Sequence, residues 1–191
     1  ACTGAEGLAD ASAMAEATAA AVNTEAGRVA VCSTGLIGVR LPLDAIRGGI
    51  ADAAHHASAD GGAAAAEAIM TTDTVSKQAA VTSEAGWTVG GMAKGAGMLA
   101  PALATMLVVI TTDADLTPEQ ADAALRAATH VTFDRTDSDG CMSTNDTVLL
   151  LANGASGLVP DQEAFTEALT GVCASLARQL LADAEGSSHD I

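Results

Sequence analysis

Met-Leu-Val-Val-Ile-Thr, residues 106–111, is the strongest strand signal in the chain. The run is continuous, apolar and rich in β-branched residues, as in a strand that is buried on both faces of a sheet. A second buried strand is predicted over residues 146–152, where Asn153-Gly154 supplies the turn that ends it. Buried strands with helical segments around them predict an α/β fold.

Helical segments flank these strands. An alanine-rich helix is predicted over residues 8–22, a second begins at Pro42, and a third covers residues 63–70. Thr117-Pro118-Glu119-Gln120 is a capping box with proline at the first helical position, so a further helix is predicted from there to about residue 130.

A last, long helix is predicted from Asp161, which is placed to cap it. One apolar stripe runs along this helix: Phe165, Leu169, Val172, Leu176 and Leu180. Short strands are also predicted over residues 28–32 and 87–89. We see no linker and no internal repeat, so one domain is the simplest organisation.

The composition excludes several classes of function. The chain has 24 acidic and 8 basic residues among 191, so its formal net charge is −16. Such a surface repels phosphate backbones and anionic lipid, and aromatic residues that stack on single strands make up only 2% of the chain. No apolar run reaches the length of a membrane span. We therefore expect neither a nucleic-acid nor a membrane partner.

The spacing of the cysteine, histidine and aspartate residues indicates neither a metal site nor a disulfide. The four cysteines are far apart, which predicts thiols in a reducing cytoplasm. His55 and His56 have no acid or thiol at ligand spacing, and a calcium loop around Asp137 would place Arg135 at its first ligand position. We expect no metal and no cofactor. Only two lysines occur, Lys77 and Lys94, and each is a candidate for a specific role.

The glycine-rich stretch 90–101 fails as a nucleotide-binding loop. A P-loop requires Gly-Lys-Ser/Thr, whereas Lys94 precedes Gly95. The spacing Gly95-x-Gly97-x-x-Ala100 is followed by Pro101 and a strand, not by the helix that a dinucleotide fingerprint opens. A flexible loop is the plain alternative.

Hydroxyl residues cluster at Ser33-Thr34-Gly35, at residues 71–74 and at residues 143–147. Each cluster taken alone is more typical of a turn or a helix cap than of a catalytic group. Thr34-Gly35 nevertheless follows a predicted strand, where hydroxyl and backbone N–H donors suit the stabilisation of an oxyanion.

Thr105 is the candidate nucleophile. A threonine hydroxyl is weakly nucleophilic, and no His-Asp pair is placed to activate it. A threonine at a new N-terminus carries its own base, because a free α-amine has a pKa of about 7.7–8.0 and a peptide nitrogen is not basic. Cleavage between Ala104 and Thr105 would create base and nucleophile together. Spacing alone favours the alternative, an ordinary residue at the start of a strand.

A long motif decides between these alternatives: Met92-Ala93-Lys94-Gly95-x-Gly97-Met98-x-Ala100-Pro101-x-x-Ala104-Thr105-Met106-Leu107. It resembles the self-cleavage segment of the ornithine acetyltransferase family, the glutamate N-acetyltransferases of arginine biosynthesis. Four further segments agree in the family's order: Cys32-Ser33-Thr34-Gly35-Leu36-Ile37-Gly38, Ala68-Ile69-Met70-Thr71-Thr72-Asp73-Thr74, Ser143-Thr144-Asn145-Asp146-Thr147 and Asp183-Ala184-Glu185-Gly186.

The resemblance implies an enzyme that cuts itself between Ala104 and Thr105. The freed Thr105 then takes an acetyl group from N-acetylornithine and passes it to glutamate in a ping-pong cycle. Thr34 and Gly35 match the family's oxyanion-hole pair. The family's substrate-contacting positions match Thr71, Lys94, Thr105 and Glu185. Thr72 is the alternative match for the position of Thr71.

The resemblance also implies an α+β sandwich of mixed sheets flanked by helices, similar to N-terminal-nucleophile enzymes. Family chains are longer, so we expect residues 1–191 to be the central part of one acetyltransferase domain, with an incomplete fold and site. Residues 1–104 would end the α segment and residues 105–191 would begin the β segment, and two αβ units would form a heterotetramer. Use of acetyl-CoA as a donor is left open.

Two alternatives to the acetyltransferase remain. An N-terminal-nucleophile amidohydrolase or aminopeptidase would use the same Thr105 but deliver the acyl group to water. A fragment that needs its missing segments would be inactive.

Overall fold

The computed structural model describes residues 2–97, 99–100, 103–104, 106–137, 140–141 and 143–186. Contacts divide the chain into two compact units, residues 1–62 and 63–191. In the first unit, helix α1 (Gly4–Val22) packs against helix α2 (Leu43–His55). Arg40 donates two hydrogen bonds of 2.8 and 2.6 Å to the Asp10 carboxylate on α1, and these bonds lower the pKa of Asp10.

The strand predicted over residues 28–32 is wrong. Residues 26–28 form a 3-10 turn, and residues 29–35 pair with no strand among the residues described in this unit. An apolar run becomes a strand only where a neighbouring strand satisfies its backbone N–H and C=O groups.

The second unit, which helix α3 (Gly62–Ala68) introduces, is built on a mixed sheet. Its strands in chain order are β1 (Lys77–Thr82), β2 (Thr88–Lys94), β3 (Leu99–Ala100), β4 (Leu103–Ala104), β5 (Leu107–Thr112) and β6 (Thr147–Ala152). The four longer strands form one sheet in the order β1-β2-β5-β6, where only the β5–β6 pair is parallel. The short strands β3 and β4 pair with each other.

The two strongest strand predictions are confirmed as β5 and β6. Strand β1 escaped prediction, because its residues are small or polar and it forms by pairing with β2. Residues 90–94 belong to β2, so the flexible-loop interpretation is wrong for them. A Cβ at Gly91 would lie only 3.2 Å from Ile110 Cγ1 and Leu176 Cδ1, and glycine is therefore what allows this close packing.

Two helices complete this unit, α4 (Pro118–Val131) and α5 (Gln162–Ala182). The predicted capping box is present on α4, since Thr117 accepts from the Gln120 N–H and the Gln120 side chain accepts from the Thr117 N–H. The apolar stripe of α5 is buried and packs on β1 and β2, while α4 packs on α5. Helices on a mixed sheet confirm the α/β class.

Candidate active site

The strand register brings four chain segments to one end of the sheet. Lys77, the first residue of β1, pairs with Ala93, next to Lys94 at the end of β2. Lys94 pairs with Leu107 of β5, which in turn pairs with Thr147 of β6. Because β2 ends where β1, β5 and β6 begin, the polar segments outside these strands meet there.

Lys77 is the centre of a buried ionic network at this end. Its ammonium donates to Asp73 Oδ1 at 2.7 Å and to Asp183 Oδ2 at 2.5 Å, and no part of the residue is exposed. Thr74 donates to the Asp183 carboxylate through both its N–H and its hydroxyl. Burial of charge is tolerated only where the charges are paired and hydrogen-bonded, as they are here. The network joins the segment before β1 to the end of α5.

Both carboxyl groups of the network are ionised at neutral pH. Burial acts to raise the pKa of Asp183, but hydrogen bonds from Lys77 and Thr74 outweigh it and lower the pKa to about 2. Burial likewise opposes ionisation of Asp73, whereas the Gly95 N–H, the Lys77 ammonium and the Thr71 N–H together lower the pKa of Asp73.

Asp73 also holds the chain on either side of the site. Its Oδ1 accepts the Gly95 N–H at 2.6 Å, and its Oδ2 accepts the Thr71 N–H at 3.2 Å. One carboxylate therefore fixes Thr71 and the residue that follows Lys94 relative to each other.

Lys94 is a second buried cation, with 2% of its surface exposed. Burial lowers the pKa of its ammonium, and Lys77 acts in the same direction, while the Asp73 and Asp146 carboxylates favour the charged form. A cation with so little access to water is suited to a carboxylate ligand, because their attraction is strong where the dielectric is low.

Asp146 lies directly before β6 and contacts the start of β5. Its Oδ1 accepts the Met106 N–H at 3.1 Å. Burial raises the pKa of Asp146 to about 6, against the opposing effects of the Met106 N–H, the Ser143 hydroxyl and the Lys94 ammonium. A fraction of the Asp146 carboxyl groups is therefore protonated just below neutral pH.

Glu185 lies beside the glycine segment that follows β2. Its N–H donates to the Ala96 carbonyl at 2.5 Å, and a Cβ at Gly97 would lie 3.4 Å from its carboxyl carbon. Gly97 therefore leaves room for the carboxylate next to the backbone. Glu185 is exposed, so its carboxylate is accessible to a cationic ligand.

Three of the site residues predicted from sequence come together at this end of the sheet. Lys94 is buried there, Asp73 bonds the N–H groups of both Thr71 and Gly95, the residue after Lys94, and the Glu185 N–H bonds the Ala96 carbonyl. Thr71 and its neighbour Thr72 are both exposed.

The other predicted residues belong to the first compact unit, to strand β4 or to the part of the chain that the structure does not describe. Thr34 and Gly35 belong to the first compact unit, in the loop before a turn at residues 36–38, where Thr34 is half-buried and Gly35 exposed. Ala104 is the last residue of β4. Thr105 lies outside the described residues.

Sequence reasoning did not single out Asp73, Asp146 or Asp183, although all three lie in segments that carry the family resemblance. Lys77 was predicted to have a specific role, because only two lysines occur in the chain. No spacing rule indicates that Lys77 meets Asp183, which lies 106 residues further along the chain. Tertiary packing alone brings them together.

The described ranges contain neither a metal centre nor a membrane-spanning helix. No three His, Cys, Asp or Glu side chains in them form a group that would hold a metal ion. No helix in the same ranges is both long and apolar enough to cross a bilayer.

The structure thus defines an α/β protein with two buried lysines and their carboxylate partners at one end of a mixed sheet. The model of the ArgJ family matches residues 1–191, and the chain belongs to this family.

Relatives from several bacteria are similar over the whole chain. The arginine biosynthesis bifunctional proteins ArgJ of Streptomyces coelicolor and Thermobifida fusca are 64% and 62% identical over 191 residues, which are 100% of this chain and 50% of each relative. The chain thus spans about half the length of these curated relatives. The crystal structure of ArgJ from Bacillus halodurans is 41% identical, with 56% of each chain covered and a TM-score of 0.46.

Proposed function

We propose that the protein carrying these residues is an acyltransferase of arginine biosynthesis, which moves an acetyl group from N-acetylornithine to glutamate through an acetyl-Thr105 intermediate. Membership of the ArgJ family supports the class, and the names of its relatives support the pathway. The observation that carries the proposal is the buried Lys94 ammonium. Lys94 pairs with Leu107, the first residue of β5, which follows Thr105 and Met106 directly in the chain.

The charges at this end of the sheet suit these substrates. Both N-acetylornithine and glutamate have an α-carboxylate, and Lys94 is the cation that would bind it. Ornithine also has a side-chain ammonium, for which the exposed Glu185 carboxylate is a partner. Thr71, held by Asp73, would add a hydroxyl hydrogen bond.

Activation requires one cut. Addition of water across the Ala104–Thr105 peptide gives Ala104 a carboxylate and Thr105 an α-amine, so the nucleophile and its base arise in one step. Strand β2 lies in the α segment and β5 in the β segment, and they are hydrogen-bonded neighbours in one sheet. The two segments would therefore stay paired after the cut, and two such αβ units would form the heterotetramer.

The transfer then has two steps, acetylation of Thr105 and transfer of the acetyl group to glutamate. The Thr105 hydroxyl attacks the acetyl carbonyl of N-acetylornithine, its proton passes to the α-amine, and the C–N bond breaks as the departing ornithine amine takes that proton. The α-amine of glutamate next attacks the acetyl-Thr105 ester, which releases N-acetylglutamate and restores the hydroxyl. Thr34 and Gly35 would stabilise the oxyanion of each tetrahedral intermediate; loss of one such donor costs about 10²–10³ in rate.

Mass spectrometry tests this proposal with two substitutions at one position. The unmodified protein should yield two segments, and the segment that begins at Thr105 should gain one acetyl group when N-acetylornithine is added without glutamate. Thr105→Ala should remain uncut and inactive, while Thr105→Ser, which keeps a hydroxyl, should still be cut and acetylated.

Three results would count against the proposal. An acetylated Thr105→Ala protein would remove Thr105 as the nucleophile, and an intact, fully active chain would remove the cut. Release of free acetate at a rate that does not depend on glutamate would identify the amidohydrolase instead.

A further inference from the structure

Two hydrogen bonds tie the end of α5 to the segments that hold the other predicted substrate-binding residues. The Asp183 carboxylate, two residues before Glu185, accepts from the Lys77 ammonium at 2.5 Å. The Glu185 N–H donates at 2.5 Å to the carbonyl of Ala96, which is two residues after Lys94. Glu185 itself is exposed, so the position of its carboxylate depends on these two ties more than on side chains packed around it.

These bonds close a ring around the site. Asp73 Oδ1 accepts from the Lys77 ammonium at 2.7 Å and from the Gly95 N–H at 2.6 Å. Lys77 also bonds Asp183, and the chain then leads to Glu185, whose N–H bonds the residue after Gly95. Segments joined in a ring cannot move apart unless one bond breaks, and the charge-assisted bonds of Lys77 are the strong members.

Lys77 also stabilises the C-terminal end of α5. Asp183 is the capping residue of this helix, and the last turn, residues 179–182, contains no basic side chain. An acidic group is unfavourable at a helix C-terminus, because carbonyl groups without partners leave a partial negative charge there. The Lys77 ammonium offsets this effect and holds a helix end that would otherwise fray. The ion pair therefore fixes the point from which the chain continues to Glu185.

Two opposite charges at fixed positions discriminate between substrates by length. Under the proposed function, Lys94 binds the α-carboxylate of N-acetylornithine and Glu185 binds its side-chain ammonium. The homologue with one more methylene group, Nα-acetyl-lysine, would not present its two charges at the same separation. One extra methylene group typically changes kcat/KM by about 10- to 200-fold. Such discrimination requires that the two protein charges keep their separation.

We propose that Asp183 and Lys77 are positioning residues for substrate selection: their ion pair fixes the Glu185 carboxylate relative to Lys94 and thereby selects acetylated amino acids with the side-chain length of ornithine. This inference rests on the proposed function and adds to it the cause of a length preference. Both residues act through Glu185 and Lys94, so neither needs to contact the substrate.

Three substitutions test the inference. Asp183→Asn keeps an oxygen acceptor for the Thr74 N–H and removes the charge that pairs with Lys77. Thr74→Val is the milder variant, because it removes only a hydroxyl donor from the Asp183 carboxylate. Gln179→Ala is the matched control. The Gln179 side chain also joins α5 to β1, through hydrogen bonds of 3.1 and 3.0 Å to the Gln78 backbone, but it lies one turn before Asp183 and outside the ionic ring.

The preference for N-acetylornithine over Nα-acetyl-lysine is measured as the ratio of their kcat/KM values in the protein that carries these residues. In Asp183→Asn this preference should fall about 10-fold, mainly through a higher KM for N-acetylornithine. The KM for glutamate should change little, because glutamate has no side-chain ammonium. Thr74→Val should lower the preference by a smaller factor, and Gln179→Ala should leave it unchanged. A loss of stability alone would lower the rates with both donors in proportion and leave their ratio unchanged.

The outcomes are distinct from those that decide the proposed function. If the unmodified protein transfers acetyl but Asp183→Asn keeps the same preference, the inference is wrong while the proposed function stands. An equal loss of preference in Gln179→Ala would also refute it, because any loosening of α5 would then be sufficient. If Asp183→Asn does not fold, Thr74→Val decides: a lowered preference supports the inference and an unchanged one overturns it. An unmodified protein that transfers no acetyl overturns both proposals.

Discussion

Substitution of Lys77 by methionine should strongly destabilise the unit formed by residues 63–191. Methionine keeps a long, unbranched side chain but removes the cation that pairs with Asp73 at 2.7 Å and Asp183 at 2.5 Å. The side chains of the two partners are 0% and 6% exposed, so their charges are left with little water.

The magnitude follows from the burial. Loss of one partner of a buried ion pair typically costs about 3–5 kcal/mol. We expect a loss of about 3 kcal/mol, the lower end, because Asp73 keeps two backbone N–H donors and Asp183 keeps two bonds from Thr74. Domains have a free energy of unfolding of about 5–15 kcal/mol, so this is a large fraction of the total.

Urea denaturation followed by tryptophan fluorescence measures this loss. Trp87 is the only tryptophan in the chain and is buried in the core of the same unit, so its signal reports the unfolding of that core. Arg126→Met is the control: it also removes one positive charge, but from a pair whose side chains are 79% and 60% exposed. Such a pair contributes about 0.3–0.5 kcal/mol.

Two further measurements complete the test. Addition of Asp73→Asn and Asp183→Asn to Lys77→Met should recover part of the stability, because a neutral network is less costly than unpaired buried charge. In the unmodified protein the folded-state pKa of Asp183, about 2, lies below its ordinary value of 3.8. Its contribution is therefore complete above about pH 4 and is lost as the pH falls towards 2, so the difference between the two proteins should shrink over that range. A loss from Lys77→Met no larger than that from Arg126→Met would refute the reasoning.

Two predictions concern other residues of the same unit. Lys94→Met should behave oppositely to Lys77→Met. Burial already disfavours the Lys94 charge, so urea denaturation should show little loss or a gain of stability. Under the proposed function, the KM for N-acetylornithine should rise about 10- to 100-fold, because a charge-assisted hydrogen bond is lost. An unchanged KM would remove Lys94 from the substrate site. Gly91→Ala should lower the free energy of unfolding by about 1–3 kcal/mol, because its Cβ would meet Ile110 and Leu176 at 3.2 Å; a neutral effect would show that α5 shifts freely.

Local signals explain which elements the sequence predicts well. The α4 capping box involves residues three apart, and the stripe on α5 repeats at helical spacing, so both are determined within a single turn or a few turns. The apolar run of β5 needs no neighbour to be recognised as buried. By contrast, residues 28–32 resemble a strand locally but pair with no strand among the described residues of their unit, and β1 is recognisable only through its pairing with β2.

The candidate site divides in the same way. The resemblance to the ornithine acetyltransferase family pointed to Lys94, Thr71, Glu185 and Thr105 as a set, because the motifs that carry it are read directly from the chain. The residues that hold this set in place could not be identified from the sequence. The Asp73–Lys77–Asp183 network and the Asp146 contact with Met106 depend on pairings across the sheet and onto the end of α5.

The sequence by itself thus determined the family, the α/β class, the capped helices and the identity of the two lysines. Only the tertiary structure decided that one lysine is held between two carboxylates while the other has a lowered pKa at the sheet end. The physical reason is that charge pairing and burial are properties of distance in space, which a separation of 106 residues along the chain does not reveal.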